Sequence, residues 1–170
     1  MLTFKDVYSH GFLTIFITTF FGSLIRLYNE FGVQFVLIVF VCAWMTDTAA
    51  YFTGCACGKH KLIPKVSPKK TVEGAVGGVI AAVLSCVLYL FILKKAGFDI
   101  RGLNYLSIVV IGCVASIFSQ IGDLVASAIK RDCDVKDFGN LLPGHGGLLD
   151  RFDSVMYIAP LVFYMLAFLC

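Results

Sequence analysis

SAIKRDCDVKDFGNLLPGHGGLLDRFD, residues 127–153, packs nine charged residues and His145 into 27 positions of a chain that is 59% hydrophobic overall. The stretch begins near the end of one membrane-length apolar run and finishes inside the start of the next. Charge in or beside a bilayer is costly and marks a site. The residue types indicate the chemistry. Carboxylates hold a hard metal ion, while Lys, Arg, His and a Gly-Gly turn handle phosphate.

Working outward, the 170 residues have a mean hydropathy of +0.88 and only 15% charged residues, too apolar for a soluble domain of this size. A spanning helix needs about 20 apolar residues. Five runs qualify, at 10–27, 31–53, 72–93, 105–129 and 153–170. The fold class is therefore all-α: one integral membrane domain over residues 1–170, a polytopic transmembrane helical bundle with two polar cytoplasmic loops. The first run lacks a basic leader and a small-residue cleavage site, and is not expected to be a signal peptide.

Basic residues set the orientation. Lys5, five lysines within 54–71, and Lys130, Arg131, Lys136 and Arg151 fall on one side of a five-helix alternation. Arg26, Lys94, Lys95 and Arg101 fall on the other. The positive-inside tendency puts the first group in the cytoplasm. The seven cysteines are odd in number and mostly lie in apolar runs, as small buried hydrophobes do. Cys55-x-Cys57 followed by His60 lacks the four-ligand spacing of structural zinc.

Four further features carry chemistry. Ser116, Ser119, Gln120, Asp123, Ser127 and Lys130 recur at spacings of three and four, one polar stripe on a helix. Asp123 lies inside an otherwise apolar run, at an insertion cost of about 3 kcal/mol that a partner or metal would offset. Asp150 and Asp153 share one face of a helix starting near Asp150, where the helix dipole tolerates negative charge. Capping alone accounts for one acid, not two. Asp123 and Asp150 together suit magnesium, and Asp47 is a third intramembrane acid facing the same region. Ser67-Pro-Lys-Lys-Thr71 clusters hydroxyls and ammonium groups suited to phosphate or to anionic headgroups. Walker A, GxGxxG, HExxH and Ser-His-Asp patterns are absent from the sequence. Gly74 and Gly78 form a GxxxG pair, read as helix packing.

These residues resemble a known family. Ser127-x-Ile129-Lys130-Arg131, four residues, Lys136-Asp137-x-Gly139, then Leu142-Pro143-x-His145-Gly146-Gly147-Leu148-x-Asp150-Arg151-Phe152-Asp153 is similar to the signature of phosphatidate cytidylyltransferases. Upstream, Asp47-Thr48-x-Ala50-Tyr51, Gly54, Gly58-Lys59 and Ser67-Pro68-Lys69-Lys70-Thr71-x-Glu73-Gly74 resemble the same family, so the likeness covers roughly residues 40–170. Family members usually carry several more membrane helices ahead of this part. Here about 40 residues with one apolar run precede it.

The resemblance implies transfer of the cytidylyl group of CTP to phosphatidate in the bilayer, giving CDP-diacylglycerol and pyrophosphate for phospholipid biosynthesis. It implies catalytic roles for Asp123, Lys130, Asp150 and Asp153. Asp123 and Asp150 would ligate magnesium, with potassium as a companion ion. Ser67, Lys69, Lys70, Ser127, Arg131, Lys136 and Arg151 would bind substrate, and His145, Gly146 and Gly147 would shape the pocket. A homodimer and no nucleic-acid partner are expected. Four other readings stay open at this point: the same chemistry on an ether-lipid phosphate, a CTP-dependent lipid kinase, a cation or proton transporter relaying through Asp47 and Asp123, and an inactive membrane fragment that only scaffolds partners. The CTP product separates the kinase, and flux without CTP turnover separates the transporter.

Overall fold

The computed structural model describes residues 4–64, 66–100, 102–132, 135, 137–139, 147 and 149–169, without the side chains of residues 4–10, 12, 13 and 151. Lipid offers no hydrogen bonds to the backbone, so apolar runs satisfy themselves as helices. Among the described residues these are α1 (Phe4–Phe31), α2 (Val33–Cys57), α3 (Val72–Lys95), α4 (Tyr105–Asp132) and α5 (Leu149–Leu169). Four spans, in α2, α3, α4 and the Phe152–Leu169 part of α5, are long and apolar enough to cross a membrane. The remaining expected run, 10–27, is helical within α1.

One element was not expected. The basic loop contains an antiparallel hairpin, β1 (Lys61–Ile63) and β2 (Ser67–Thr71), pairing Lys61 with Thr71 and Ile63 with Ser67. Pro64 sits in its turn, which Val66 N–H closes onto Ile63 O at 3.2 Å. The architecture is thus a helical bundle with a small hairpin at one end. Helix ends also extend past the apolar runs. Lys130 and Arg131 occupy the last turn of α4, and Asp150 the first turn of α5. Both placements complement the helix dipole, so charge there continues the helix instead of ending it.

Connections fix the ends. Gly32, at φ 97°, closes α1 by donating to Leu27 O and Tyr28 O, a left-handed cap that favours glycine, and α2 starts at the next residue. The hairpin joins α2 to α3 at the polar end, and residues 96–104 join α3 to α4 at the other end. The C-terminus of α4 and the N-terminus of α5 return to the polar end. Phe20, Leu27, Phe35, Ile38, Leu90, Ile108, Ile111, Ile158, Val162 and Leu166 form the buried core.

Among the described residues α2 packs most extensively on α3, and glycine lets the two backbones approach. A Cβ on Gly74 would meet Ala50 O at 2.6 Å, and one on Gly78 would meet Thr46 O at 2.9 Å and Ala50 Cβ at 3.1 Å. Gly78→Val is therefore expected to destabilise the fold by about 2 kcal/mol or more, the scale of core overpacking. Thermal unfolding in detergent checks this. An unchanged midpoint would show that the helices separate without cost.

Candidate active site

The α4 stripe faces inward at the polar end. Ser116, fully buried, meets Thr46 of α2 through their hydroxyls at 2.9 Å. One turn on, Gln120 Nε2 donates to Ala75 O of α3 at 3.1 Å. Asp123 follows, forming an ion pair with Lys70 of β2. Ser127 Oγ lies 3.5 Å from Asp123 Oδ1. Lys130 Nζ donates to Asp150 Oδ1 of α5 at 2.9 Å.

Two groupings result. The first surrounds a cavity of about 560 Å³ walled by α2, the hairpin, α3 and α4. Asp47, Tyr51, Lys61, Lys69, Lys70, Gln120 and Asp123 line it. Lys70 is held at its wall by the strand geometry, since β2 runs directly into α3. Its Nζ is buried against the Asp123 carboxylate. An ammonium carries three donors, and the Lys70 side chain lines the cavity beside Lys61 and Lys69.

The second grouping ties α4 to α5. Lys130, 13% exposed, sits between Asp150, 6% exposed, and Asp153, whose Oδ2 is 3.9 Å away. Asp150 Oδ2 accepts from Phe138 N–H at 2.9 Å and Gly147 N–H at 3.0 Å. This carboxylate therefore gathers both flanks of residues 139–146. Burial pushes the Asp150 carboxyl up. The Lys130 bond and the Gly147 and Phe138 N–H groups outweigh burial and hold it below the usual carboxylate range. Ser154 joins the groupings: its N–H donates to Asp153 Oδ1 at 2.8 Å and its hydroxyl to Asp47 Oδ2 at 2.8 Å.

The expected residues fall as follows. Asp123, Lys69 and Lys70 line the cavity, and Ser127 touches Asp123. Lys130, Asp150, Asp153 and Gly147 form the second grouping. Ser67 opens β2, away from the lining residues, and Arg131 is exposed in the last turn of α4. Lys136, His145 and Gly146 lie outside the described residues, as does the Arg151 side chain. Asp47, expected to face the same region, lines the cavity, whereas Tyr51, Lys61 and Gln120 were given no site role from sequence. Signals existed for two of these three: the Gln120 place on the stripe, and Lys61 in the basic segment. His60 Nδ1 is 2.6 Å from Glu73 Oε1 at the mouth of α3.

Magnesium suits this donor set. It prefers hard oxygens, takes one or two carboxylates and keeps waters or phosphates for the rest of its shell. Among the described residues no cluster of three or more His, Cys, Asp and Glu could hold a metal by itself. Asp123 and Asp150, the two carboxylates expected to take it, fall in different groupings, each on its own lysine. Two lysine ammoniums, on Asp123 and between Asp150 and Asp153, occupy the positions where positive charge is matched.

Comparison with known proteins narrows the chemistry. The sequence profile of the Cytidylyltransferase family matches residues 1–169. The chain is 41% identical over 170 residues to a phosphatidate cytidylyltransferase of Bacillus subtilis (strain 168), covering 97% of this chain and 60% of that one. It is 48% identical over 131 residues to the phosphatidate cytidylyltransferase of Staphylococcus saprophyticus, covering 77% of this chain and 48% of that one. The protein of the same name in Staphylococcus haemolyticus is 44% identical over the same length and shares. The chain thus spans about half to three-fifths of the length of these curated relatives. A match along nearly the whole chain, on a bundle whose acids and lysines converge at one end, places this protein in the cytidylyltransferase family.

Proposed function

We propose that this chain carries the catalytic part of an enzyme that transfers the cytidylyl group of CTP to phosphatidate, giving CDP-diacylglycerol and pyrophosphate. The observation that carries the reading is Lys70. An ammonium paired with Asp123, beside Lys61 and Lys69 at the wall of a cavity sunk into an apolar bundle, suits a phosphate brought to the membrane surface.

The chemistry asks little of the protein beyond position and charge. A phosphate oxygen of the lipid attacks the α-phosphorus of CTP. The new P–O bond forms as the bond to the β-phosphate oxygen breaks, and pyrophosphate leaves with that electron pair. The nucleophile is already anionic at neutral pH, so no Ser, Cys or strong base is required. Lys61, Lys69 and Lys70 neutralise the polyphosphate within the cavity. Asp123 holds Lys70 in place, and Gln120 fixes the α3–α4 spacing beside it. Lys130, steadied by Asp150 and Asp153, offers a second cation for the lipid phosphate. Asp123 and Asp150 would hold magnesium, with potassium as companion, and the bound ion would neutralise charge developing on the phosphates. A cavity lined by three lysines is a poor path for a cation, which speaks against transport.

The distribution of basic residues supports a cytoplasmic active site in the membrane of a bacterial cell, and the family likeness supports a homodimer. Incubating the protein with phosphatidate micelles, magnesium and α-³²P-CTP is expected to move label into lipid. Lys94, exposed at the far end over the Tyr105 ring at 4.2 Å, serves as control. Lys94→Ala should keep full activity. Label that stays in the aqueous phase would defeat the proposal, and a large loss in Lys94→Ala would defeat the assignment of the active end.

A further inference from the structure

Lys61 and Lys70 reach the polar cavity from the two strands of the hairpin. Lys70 is placed twice over, because β2 runs into α3 without a break and Asp123 pairs with its ammonium. β1 has no such continuity with a helix on the cavity side. It is three residues long, and its pairing with β2 shifts register between Lys61 and Ile63. Two strands alone are marginally stable in water. The ladder therefore does not by itself fix where Lys61 stands.

The residue ahead of Lys61 supplies the missing constraint. His60 O accepts from Val72 N–H at 2.9 Å, and His60 N–H donates to the Glu73 carboxylate, 3.2 Å from each oxygen. The imidazole meets the same carboxylate, with Nδ1 2.6 Å from Oε1. Both backbone groups of His60 are thus taken by the first two residues of α3. The first turn of a helix favours a carboxylate, so Glu73 sits where its charge is welcome. It is not one of the residues that line the cavity. Among the described residues the acids that meet the hairpin are matched to His60 and Lys70, which leaves the Lys61 and Lys69 ammoniums without a carboxylate.

We propose that Glu73 is a positioning residue for the nucleotide site: by gathering His60 it holds β1 against the head of α3 and sets the Lys61 ammonium at the cavity wall. The inference rests on the proposed reaction for the identity of the polyphosphate that Lys61 meets. A carboxylate that accepts from a backbone N–H and an imidazole makes a stronger tie than a neutral acceptor would. It spends the negative charge on a neighbour of Lys61 and not on Lys61 itself. The lysine is therefore held in place while its own charge stays available for phosphate.

Glu73→Ala is expected to raise the Kd for magnesium–CTP, measured by calorimetry without lipid, about tenfold, the low end for loss of one hydrogen bond to a charged group. The kcat at saturating CTP and the KM for phosphatidate should be unchanged. Glu73→Gln keeps an oxygen for the His60 N–H and should recover most of the affinity. Hydrogen exchange followed by mass spectrometry should speed up over residues 58–63 and stay as it was in α4 and α5. The decisive arm is pairwise. Lys61→Ala weakens CTP binding too, and adding Glu73→Ala to it should cost little more, because the ammonium that Glu73 places is already gone. Additive losses would overturn the inference. So would an unchanged Kd in Glu73→Ala, a fall in kcat at unchanged Kd, or exchange that rises throughout the bundle. CTP binding that depends on Glu73 through Lys61, without cytidylyl transfer to lipid, would sink the reaction and keep the positioning role. Transfer by the parent with additive losses would do the reverse, and a parent that binds no CTP would defeat both.

Discussion

Asp123→Asn is expected to lower kcat for cytidylyl transfer by about a hundredfold to a thousandfold, the scale for loss of one fixed electrostatic group in a closed site. The side chain is a quarter exposed, faces the cavity and carries no part of the core, so the fold should survive. What is lost is charge. Asparagine has nearly the same shape, but it cannot pair with the Lys70 ammonium or offer a carboxylate to a divalent ion. Lys70 then loses its anchor and drifts in the cavity. Steady-state kinetics with a magnesium titration check both parts. The variant should need more magnesium for half-maximal rate, and saturating magnesium should not restore kcat. A kcat within threefold of the parent would remove Asp123 from the reaction.

The second large effect concerns Lys130. Lys130→Met removes the cation from between two shielded carboxylates. Breaking a buried pair from one side costs about 3–5 kcal/mol, because the partner charge stays behind. Asp150 is the more exposed to this loss, since its other oxygen already collects the Phe138 and Gly147 N–H groups. Unfolding of Lys130→Met in detergent should show the loss directly. Asp150→Asn keeps an oxygen acceptor for the two N–H groups and removes the charge. In the double variant the two effects should be strongly non-additive, with the total well below the sum. Additive losses would show that Lys130 and Asp150 act independently and that the α4–α5 tie is cosmetic.

Much of this was legible from local pattern. The apolar runs announced the helices, and the three-and-four spacing from Ser116 to Lys130 announced the inward stripe. Asp150 and Asp153 announced the first turn of α5. What escaped was pairing across distance. Nothing local connects Lys70 with Asp123, or Asp47 with Ser154 across 107 positions. Those contacts depend on which helices neighbour which, and apolar faces in lipid carry little information about that. The hairpin escaped for another reason. Ser67–Thr71 has two adjacent lysines and a proline, so it shows neither the alternation nor the β-branched content of a strand. It pairs because the short turn at Pro64 returns the chain alongside itself. The double use of Asp150, as partner of Lys130 and as collector of two N–H groups, was also invisible, since sequence shows the acid and not its acceptor geometry.

Thr71 is at once the last residue of β2 and the cap of α3, its hydroxyl accepting from Gly74 N–H at 3.1 Å. Val72 N–H is in turn bonded to His60 O at 2.9 Å, so both flanks of the hairpin are bolted to the head of one helix. The basic arm therefore has no elbow. It cannot swing shut over a nucleotide as a jointed flap would, and the gauge of the chamber is cut by backbone register before any substrate arrives. Closure, if the reaction calls for it, has to come from the opposite wall.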